Sequence, residues 1–301
     1  MSDRERPVCN YEGSRYSTEF WTTSRSYEDG AERIALRHLL PPRGRRLLEI
    51  GAGFGRLVDL YQGYDTVVLL DYARTQLEQA VERLENGRSD GSPRYVFVQA
   101  NFYHLPFVPA CFDAVTMIRT LHHAVDAPAV LDQVAQVLGP GGAFVLEFAN
   151  KHNLKAIVRY LLRRQTWSPF DLEPVEFVEL NFDFHPRWVW QQLTAVGLQR
   201  DGVRTVSHFR MGLLKRWVPT QLLVTLDGLI QWTGELWQLS PSVFVRAMAP
   251  STVEPAPVGV LFRCPACGAP LTEEHDEGFQ CTCGESWKRV GQIYDFRYPR
   301  P

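Results

Sequence analysis

The stretch Leu47-Leu48-Glu49-Ile50-Gly51-Ala52-Gly53-Phe54-Gly55 constrains this chain more than any other. An apolar run that ends in an acid and opens into Gly-x-Gly-x-Gly reads as a buried parallel strand turning sharply into a helix. Glycine at 51, 53 and 55 lets the backbone take positive φ and lets a ligand lie against it. The next apolar run, Thr66-Val67-Val68-Leu69-Leu70, ends at Asp71, twenty residues after Gly51. At that spacing a second strand delivers a carboxylate to the hydroxyls of a ribose. The dinucleotide fingerprint Gly-x-Gly-x-x-Gly would need glycine at Arg56, and the Gly-Lys-Ser/Thr of a phosphate loop is absent. The loop therefore suits a ligand that has a ribose but no pyrophosphate to cradle.

Further segments follow in order. They are Asn101-Phe102-Tyr103-His104-Leu105-Pro106-Phe107, Phe112-Asp113-Ala114-Val115-Thr116-Met117, Leu121-His122-His123 and Leu138-Gly139-Pro140-Gly141-Gly142. Together with the glycine loop and Asp71 they resemble the class I S-adenosylmethionine-dependent methyltransferases. The resemblance implies an α/β fold, a doubly wound and mostly parallel seven-stranded sheet, with S-adenosylmethionine as cofactor. It assigns Gly51, Ala52 and Gly53 to the methionine moiety and Glu49 to orienting the loop or the amino group. It assigns Asp71 to the ribose, and Tyr72 to packing on adenine beside Phe102. Asn101 stands where the family usually has Asp and would still accept a hydrogen bond from the adenine amine. His122 and His123 are the candidate bases, against the plainer reading that one of them caps the strand end or packs under the loop. Arg119 would hold a cofactor or anionic substrate group, or be an ordinary surface arginine.

The segment 112–148 most resembles the broad subgroup that includes ubiquinone- and menaquinone-biosynthesis methyltransferases, which implies a small-molecule acceptor methylated at O or C. Enzymes that methylate amino groups of adenine or glutamine carry Asn/Asp-Pro-Pro-Tyr/Phe after the fourth strand, where this chain reads Met117-Ile118-Arg119-Thr120. Cytosine-C5 enzymes need a nucleophilic cysteine near the site, and none follows that strand.

With 301 residues, the chain has room for one large α/β domain and a small module. A net charge of −2 gives no general pull toward nucleic acid, so a nucleic-acid partner is not indicated, though it is not excluded. The start, Met1-Ser2-Asp3-Arg4-Glu5-Arg6, lacks the apolar region of a leader, which sets the expectation of a cytoplasmic protein. Residues 1–44 read as an N-terminal lid segment with Tyr11, Tyr16, Phe20, Trp21 and Tyr27, closed by a helix from about Tyr27 to Leu40 that Pro41-Pro42 stops. Residues 45–249 read as the main domain, since strands and helices alternate along its first half. An apolar insert at 209–239 contains Leu213, Leu214, Trp217, Val218, Leu222, Leu226, Leu229, Ile230 and Trp232 around a break at Pro219. It reads either as a lid for a lipid-like acceptor with peripheral membrane contact, or as two helices covering the sheet or pairing with another subunit. Oligomeric state is not legible.

Residues 250–257, with three prolines in eight, form a linker. Beyond it, 258–301 carries Cys264-Pro-Ala-Cys267 and Cys281-Thr-Cys283-Gly284. Four thiolates in two close pairs suit a tetrahedral structural zinc, and so small a module needs such a staple. The order of cysteines, glycines and aromatics through Phe296 resembles the zinc ribbons known as methyltransferase activators. The second pair is one residue tighter than usual there, which leaves His275 as a substitute ligand and a metal-free ribbon as an alternative. Two other functions stay open: an RNA or protein methyltransferase with the ribbon and Arg159, Arg163 and Arg164 presenting the substrate, and a cofactor-binding scaffold without turnover.

Overall fold

The computed structural model describes residues 6–13, 25–86, 92–257 and 259–298. Tyr16, Phe20 and Trp21 of the expected lid lie outside them.

Strands β1 (Gly44–Ile50), β2 (Tyr64–Asp71), β3 (Arg94–Gln99), β4 (Phe112–Met117) and β5 (Leu138–Ala149) are parallel, and helices α1 (Ser26–Leu39), α2 (Arg74–Asn86) and α3 (Ala127–Val137) accompany them. The inner stretch of each central strand is apolar, as in Val67 to Leu70 of β2 and Val96 to Val98 of β3, because both sheet faces are covered there. Leu48 and Ile50 join the core that includes Val130 and Leu131 of α3, whereas Leu47 joins the core that includes Ala31 and Ala35 of α1 and Leu77 of α2. Asp126 caps α3, its carboxylate accepting from the Ala129 amide at 3.2 Å, and Pro128 fits the first turn, where no amide donor is required.

The remainder completes the sheet from the other edge. After α4 (Leu154–Leu161) come a short hairpin, β6 (Val175–Val178) and β7 (Asn181–Asp183), then α5 (Pro186–Ala195) and β8 (Gln199–Val206). The insert folds as α6 (Gly212–Trp217) and α7 (Thr220–Ile230), and β9 (Ser242–Met248) returns antiparallel between β5 and β8. The seven main strands thus run β3-β2-β1-β4-β5-β9-β8. In the insert, α7 lies against α1, burying Leu223, Val224 and Asp227.

The cysteine-bearing end of the chain is built into the sheet. A hairpin of β10 (Phe262–Arg263) and β11 (Pro270–Leu271) is followed by β12 (Glu274–His275), β13 (Gly278–Gln280), β14 (Ser286–Val290) and β15 (Ile293–Asp295). Strand β15 pairs in parallel with β3, Ile293 to Phe97 and Asp295 to Gln99, and extends the sheet to eleven strands. Phe262, Trp287, Tyr294 and Phe296 of this module share one apolar core with Phe107 and Phe112 of the main domain. Sharing that core relieves so small a module of stabilising itself alone. The linker is also tied down, the Ala256 amide donating to the Ala110 carbonyl at 3.1 Å. Among the described residues no helix is long and apolar enough to cross a membrane.

Candidate functional site

The glycine loop leaves β1 at the carboxyl edge of the sheet, where ligands of doubly wound folds bind. Gly51 and Gly53 have φ of +72° and +54°. The amides of Gly51 and Ala52 both donate to the Leu70 carbonyl, at 2.8 and 3.0 Å, which binds the loop to the end of β2. Asp71 continues the tie: one carboxylate oxygen accepts from the Gly53 amide at 2.8 Å, the other from the Ala73 amide at 2.9 Å. With the Tyr72 amide as a third donor, the carboxylate still has acceptor capacity for a ligand hydroxyl. Burial pushes the Asp71 carboxyl up, and the amides of Ala73 and Gly53 act against that shift.

A cleft opens beside this loop. Gly51, Gly53, Asp71, Tyr72, Phe102, Arg119 and His123, all candidates from the sequence, line it. Glu49 and Ala52 line a smaller adjoining pocket, which Gly51, Gly53 and Arg119 share. Asn101 stands apart from both linings: it is buried, and its side-chain oxygen accepts from the Tyr103 amide at 3.0 Å, shaping the turn that presents Phe102.

Glu49 is buried, and its Oε2 has no hydrogen-bond partner among the described residues. Burial raises its pKa to about 8, against the nearby Arg56 and a hydrogen bond with Tyr61 that favour the charged form. An acceptor buried without a donor is costly unless a ligand supplies one.

Arg119 has φ of +55°, a conformation rare for a residue with a side chain. Its amide donates to Glu147 Oε2 at 2.9 Å and its Nε donates to Glu32 Oε1 at 2.7 Å. Arg119 is therefore built into the cleft wall rather than into the general surface. Glu28 and Glu32 of α1 are themselves buried, paired with Lys215 and with Arg56 and Arg119.

The two histidines diverge. His123 is buried and faces the cleft; its Nδ1 lies 3.0 Å from the Leu180 carbonyl and its Nε2 lies 3.0 Å from the Tyr11 hydroxyl. The carbonyl fixes the proton on Nδ1, so Nε2 is the acceptor, a tautomer assigned from these partners. Burial holds His123 below the usual histidine range, against the Leu180 contact. His122 is held well below its ordinary value by burial, with His123 and Arg119 adding to the shift; it does not line the cleft.

Sequence reasoning missed several walls. Thr120, Gln76 and Cys9 carry no motif, yet all three line the cleft. Tyr11 reaches His123 across 112 positions, which no local pattern signals. Glu12 of the same segment accepts from the amides of Arg74 and Thr75 at 2.8 and 3.2 Å, holding the first turn of α2. Among the described residues none of the 209–239 insert lines the cleft; α7 lies against α1, and Trp217, Leu222, Leu229 and Trp232 of the insert are exposed.

The second cluster lies in the C-terminal module. The sulfurs of Cys264, Cys267, Cys281 and Cys283 all lie within 4.8 Å of one another. Cys264–Cys283 and Cys267–Cys281 are 3.8 and 3.5 Å apart, and none of the four is in a disulfide. A tetrahedron with metal–sulfur bonds of about 2.3 Å has edges of about 3.8 Å, so the four thiols fit a metal of that size. His275, on β12, is not part of the group. Trp287 Nε1 donates to Cys264 Sγ at 3.3 Å, which orients that ligand from outside the cluster.

Residues 48–146 match the family model described as a methyltransferase domain. The chain is similar to 27-O-demethylrifamycin SV methyltransferase of Amycolatopsis mediterranei, 35% identical over 128 residues, 41% of this chain and 46% of that protein. It is likewise similar to the ubiquinone biosynthesis O-methyltransferase of Paracidovorax citrulli, 35% identical over 122 residues, 40% of this chain and 50% of that protein. The chain thus spans about half the length of the curated relatives it matches. Among solved structures, an S-adenosylmethionine-dependent methyltransferase of Thermotoga maritima superposes with a TM-score of 0.53 at 15% identity, covering 79% of this chain and 97% of that one. A chain from the Haloferax volcanii complex of the Trm112 methyltransferase activator with a methyltransferase gives 0.52 at 13% identity, covering 75% of this chain and 92% of that one. At those identities the likeness is one of fold. Residues 48–146 are therefore a methyltransferase domain, carried on a Rossmann-like α/β fold with a mostly parallel central sheet.

Proposed function

We propose that this protein is an S-adenosylmethionine-dependent methyltransferase acting on an O or C nucleophile of a small-molecule acceptor. The observation that carries the reading is the Gly53–Asp71 unit, a glycine-loop amide tied to a strand-end carboxylate at the edge of a cleft. Its residues fit the cofactor. Asp71 keeps lone pairs for ribose hydroxyls, Tyr72 and Phe102 offer faces for adenine, and the unpaired Oε2 of Glu49 awaits a cationic donor such as an α-ammonium group.

When bound, the sulfonium supplies a methyl group that is already electrophilic. The chain's own residues then have to align the nucleophile and exclude water, and such orientation lowers barriers by roughly 7–11 kcal/mol in favourable systems. Arg119, fixed by Glu32 and Glu147, and Thr120 form the wall beside the loop. His123 Nε2 is the base for an acceptor that holds its proton, with the Leu180 carbonyl stabilising the imidazolium that results. The Tyr11 hydroxyl, now on Nε2, marks the position that an acceptor hydroxyl would take. His122 supports His123 by ring contact, the centroids 3.9 Å apart.

The same reading gives the four-cysteine cluster a structural zinc that staples the C-terminal module to β3. The test is incubation with methyl-labelled S-adenosylmethionine and phenolic, quinol and enolate acceptors. Label should enter at least one acceptor class, and His123→Ala should abolish transfer while leaving cofactor binding in place. Cofactor binding without transfer to any class would make the protein a scaffold instead.

A further inference from the structure

We infer that α4 and the neighbouring 236–239 segment form a docking surface for an anionic lipid bilayer. Helix α4 buries only Ala156. Leu154, Val158, Leu161 and Leu162, at i, i+4, i+7 and i+8, put a continuous apolar stripe into solvent, with Leu161 69% and Leu154 58% exposed. In a water-facing helix that stripe would be turned to the core. The Leu154 amide donates to the Leu239 carbonyl at 2.8 Å, which places the segment bearing Leu236 and Trp237, both more than half exposed, against the first turn of the helix. Tyr160 meets the exposed Phe170 edge to face at 6.1 Å, widening the patch on its other side.

Charge decides what covers the patch. Lys155 and Arg159 run along one edge of the stripe, Arg163 and Arg164 follow just beyond its end, and all four are exposed with no ion pair among the described residues. An apolar stripe edged by unpaired cations, with tryptophan at its margin, is complementary to the headgroup and acyl boundary of an anionic membrane. A second copy of this chain would bring the same cations against each other across a two-fold contact. A nucleic acid would use the cations but leave the aliphatic stripe wet, since bases stack on aromatic rather than aliphatic side chains. The helix follows the carboxyl end of β5, the sheet end where the cleft opens, so docking turns that end toward the lipid. The surface stands on these residues alone and does not depend on what the cleft binds.

The test is flotation of the full chain with phosphatidylcholine vesicles, with and without phosphatidylglycerol. The protein should float with the anionic vesicles, less so as salt is raised, and stay behind with the neutral ones. Val158→Glu with Leu161→Glu, and separately Arg159→Glu with Arg163→Glu, should each weaken vesicle affinity by at least about tenfold, with circular dichroism unchanged. Absence of flotation at low salt would overturn the inference, as would equal flotation of the variants. So would a wild-type dimer that the apolar variant turns monomeric without any vesicle binding, or retention of RNA in place of vesicles. Because flotation is the readout, failure of the protein to bind S-adenosylmethionine would leave the result standing.

Discussion

Glu32, buried on α1, accepts a hydrogen bond from Arg119 Nε at 2.7 Å and so joins the N-terminal helix to the wall of the cleft. Its other oxygen takes Arg56 at 2.9 Å, so one carboxylate fixes both the loop after β1 and the turn after β4. Removing one partner of a buried pair leaves the other charge desolvated. Glu32→Gln should therefore cost about 3–5 kcal/mol in urea unfolding, and it should weaken S-adenosylmethionine binding by loosening Arg119. Unchanged stability would show that the two arginines find other partners.

Glu49 gives a pH dependence whose sign is fixed. Its carboxyl stands at about 8 when folded against 4.5 when unfolded, so the folded state holds a proton that the unfolded state has lost between those values. The stability this group contributes is fully present below about pH 4.5 and is lost as pH rises to about 8. Glu49→Gln lacks that slope. The variant should gain on the wild type across the window, by at most about 5 kcal/mol at its upper end. Parallel stability curves would place the titration elsewhere. A cationic ligand group on Glu49 should also expel about one proton at pH 7, read from calorimetry in buffers of different ionisation enthalpy.

Two glycines of one loop should respond differently. A Cβ at Gly51 would fall 2.1 Å from Oγ1 of the buried Thr120. At Gly53 the nearest atom would be 3.9 Å away, leaving only the cost of positive φ. Gly51→Ala should lose about 3 kcal/mol or more, Gly53→Ala about 1 kcal/mol. Gly53→Val should remain folded yet bind S-adenosylmethionine at least about tenfold more weakly. Thermal melts and titrations of the three variants separate steric from ligand effects.

Metal loss should reach the cleft. The Phe296 amide donates to the Gln99 carbonyl at 2.8 Å, while the Gln99 side chain donates to the Tyr72 carbonyl at 3.0 Å. Elemental analysis should find about one zinc per chain, and chelation should lower Tm by at least about 5 °C and weaken cofactor binding. A stripped protein that melts and binds as before would contradict a structural metal.

The sequence made the strand–loop–strand unit legible because a parallel sheet writes buried strands as apolar runs and tight loops as glycine. It placed Asp71 and the cysteine pairs for the same local reason. What it could not show arises from distance along the chain. Glu28 and Glu32 look like the solvated face of α1 until Arg56, Arg119 and Lys215 arrive from elsewhere. The two adjacent histidines were equivalent in sequence, and only Leu180 and Tyr11 single out His123. Nor could the cysteines reveal that their module adds its last strand to β3, since strand pairing leaves little trace in composition.

The most direct test of the account is calorimetric titration of the metal-replete wild type and Asp71→Ala with S-adenosylmethionine. The account predicts a micromolar Kd with one site for the wild type and an affinity at least about tenfold lower for the variant, whose loop and ribose contact are lost together. No binding by the folded wild type, or equal binding by both proteins, would contradict it.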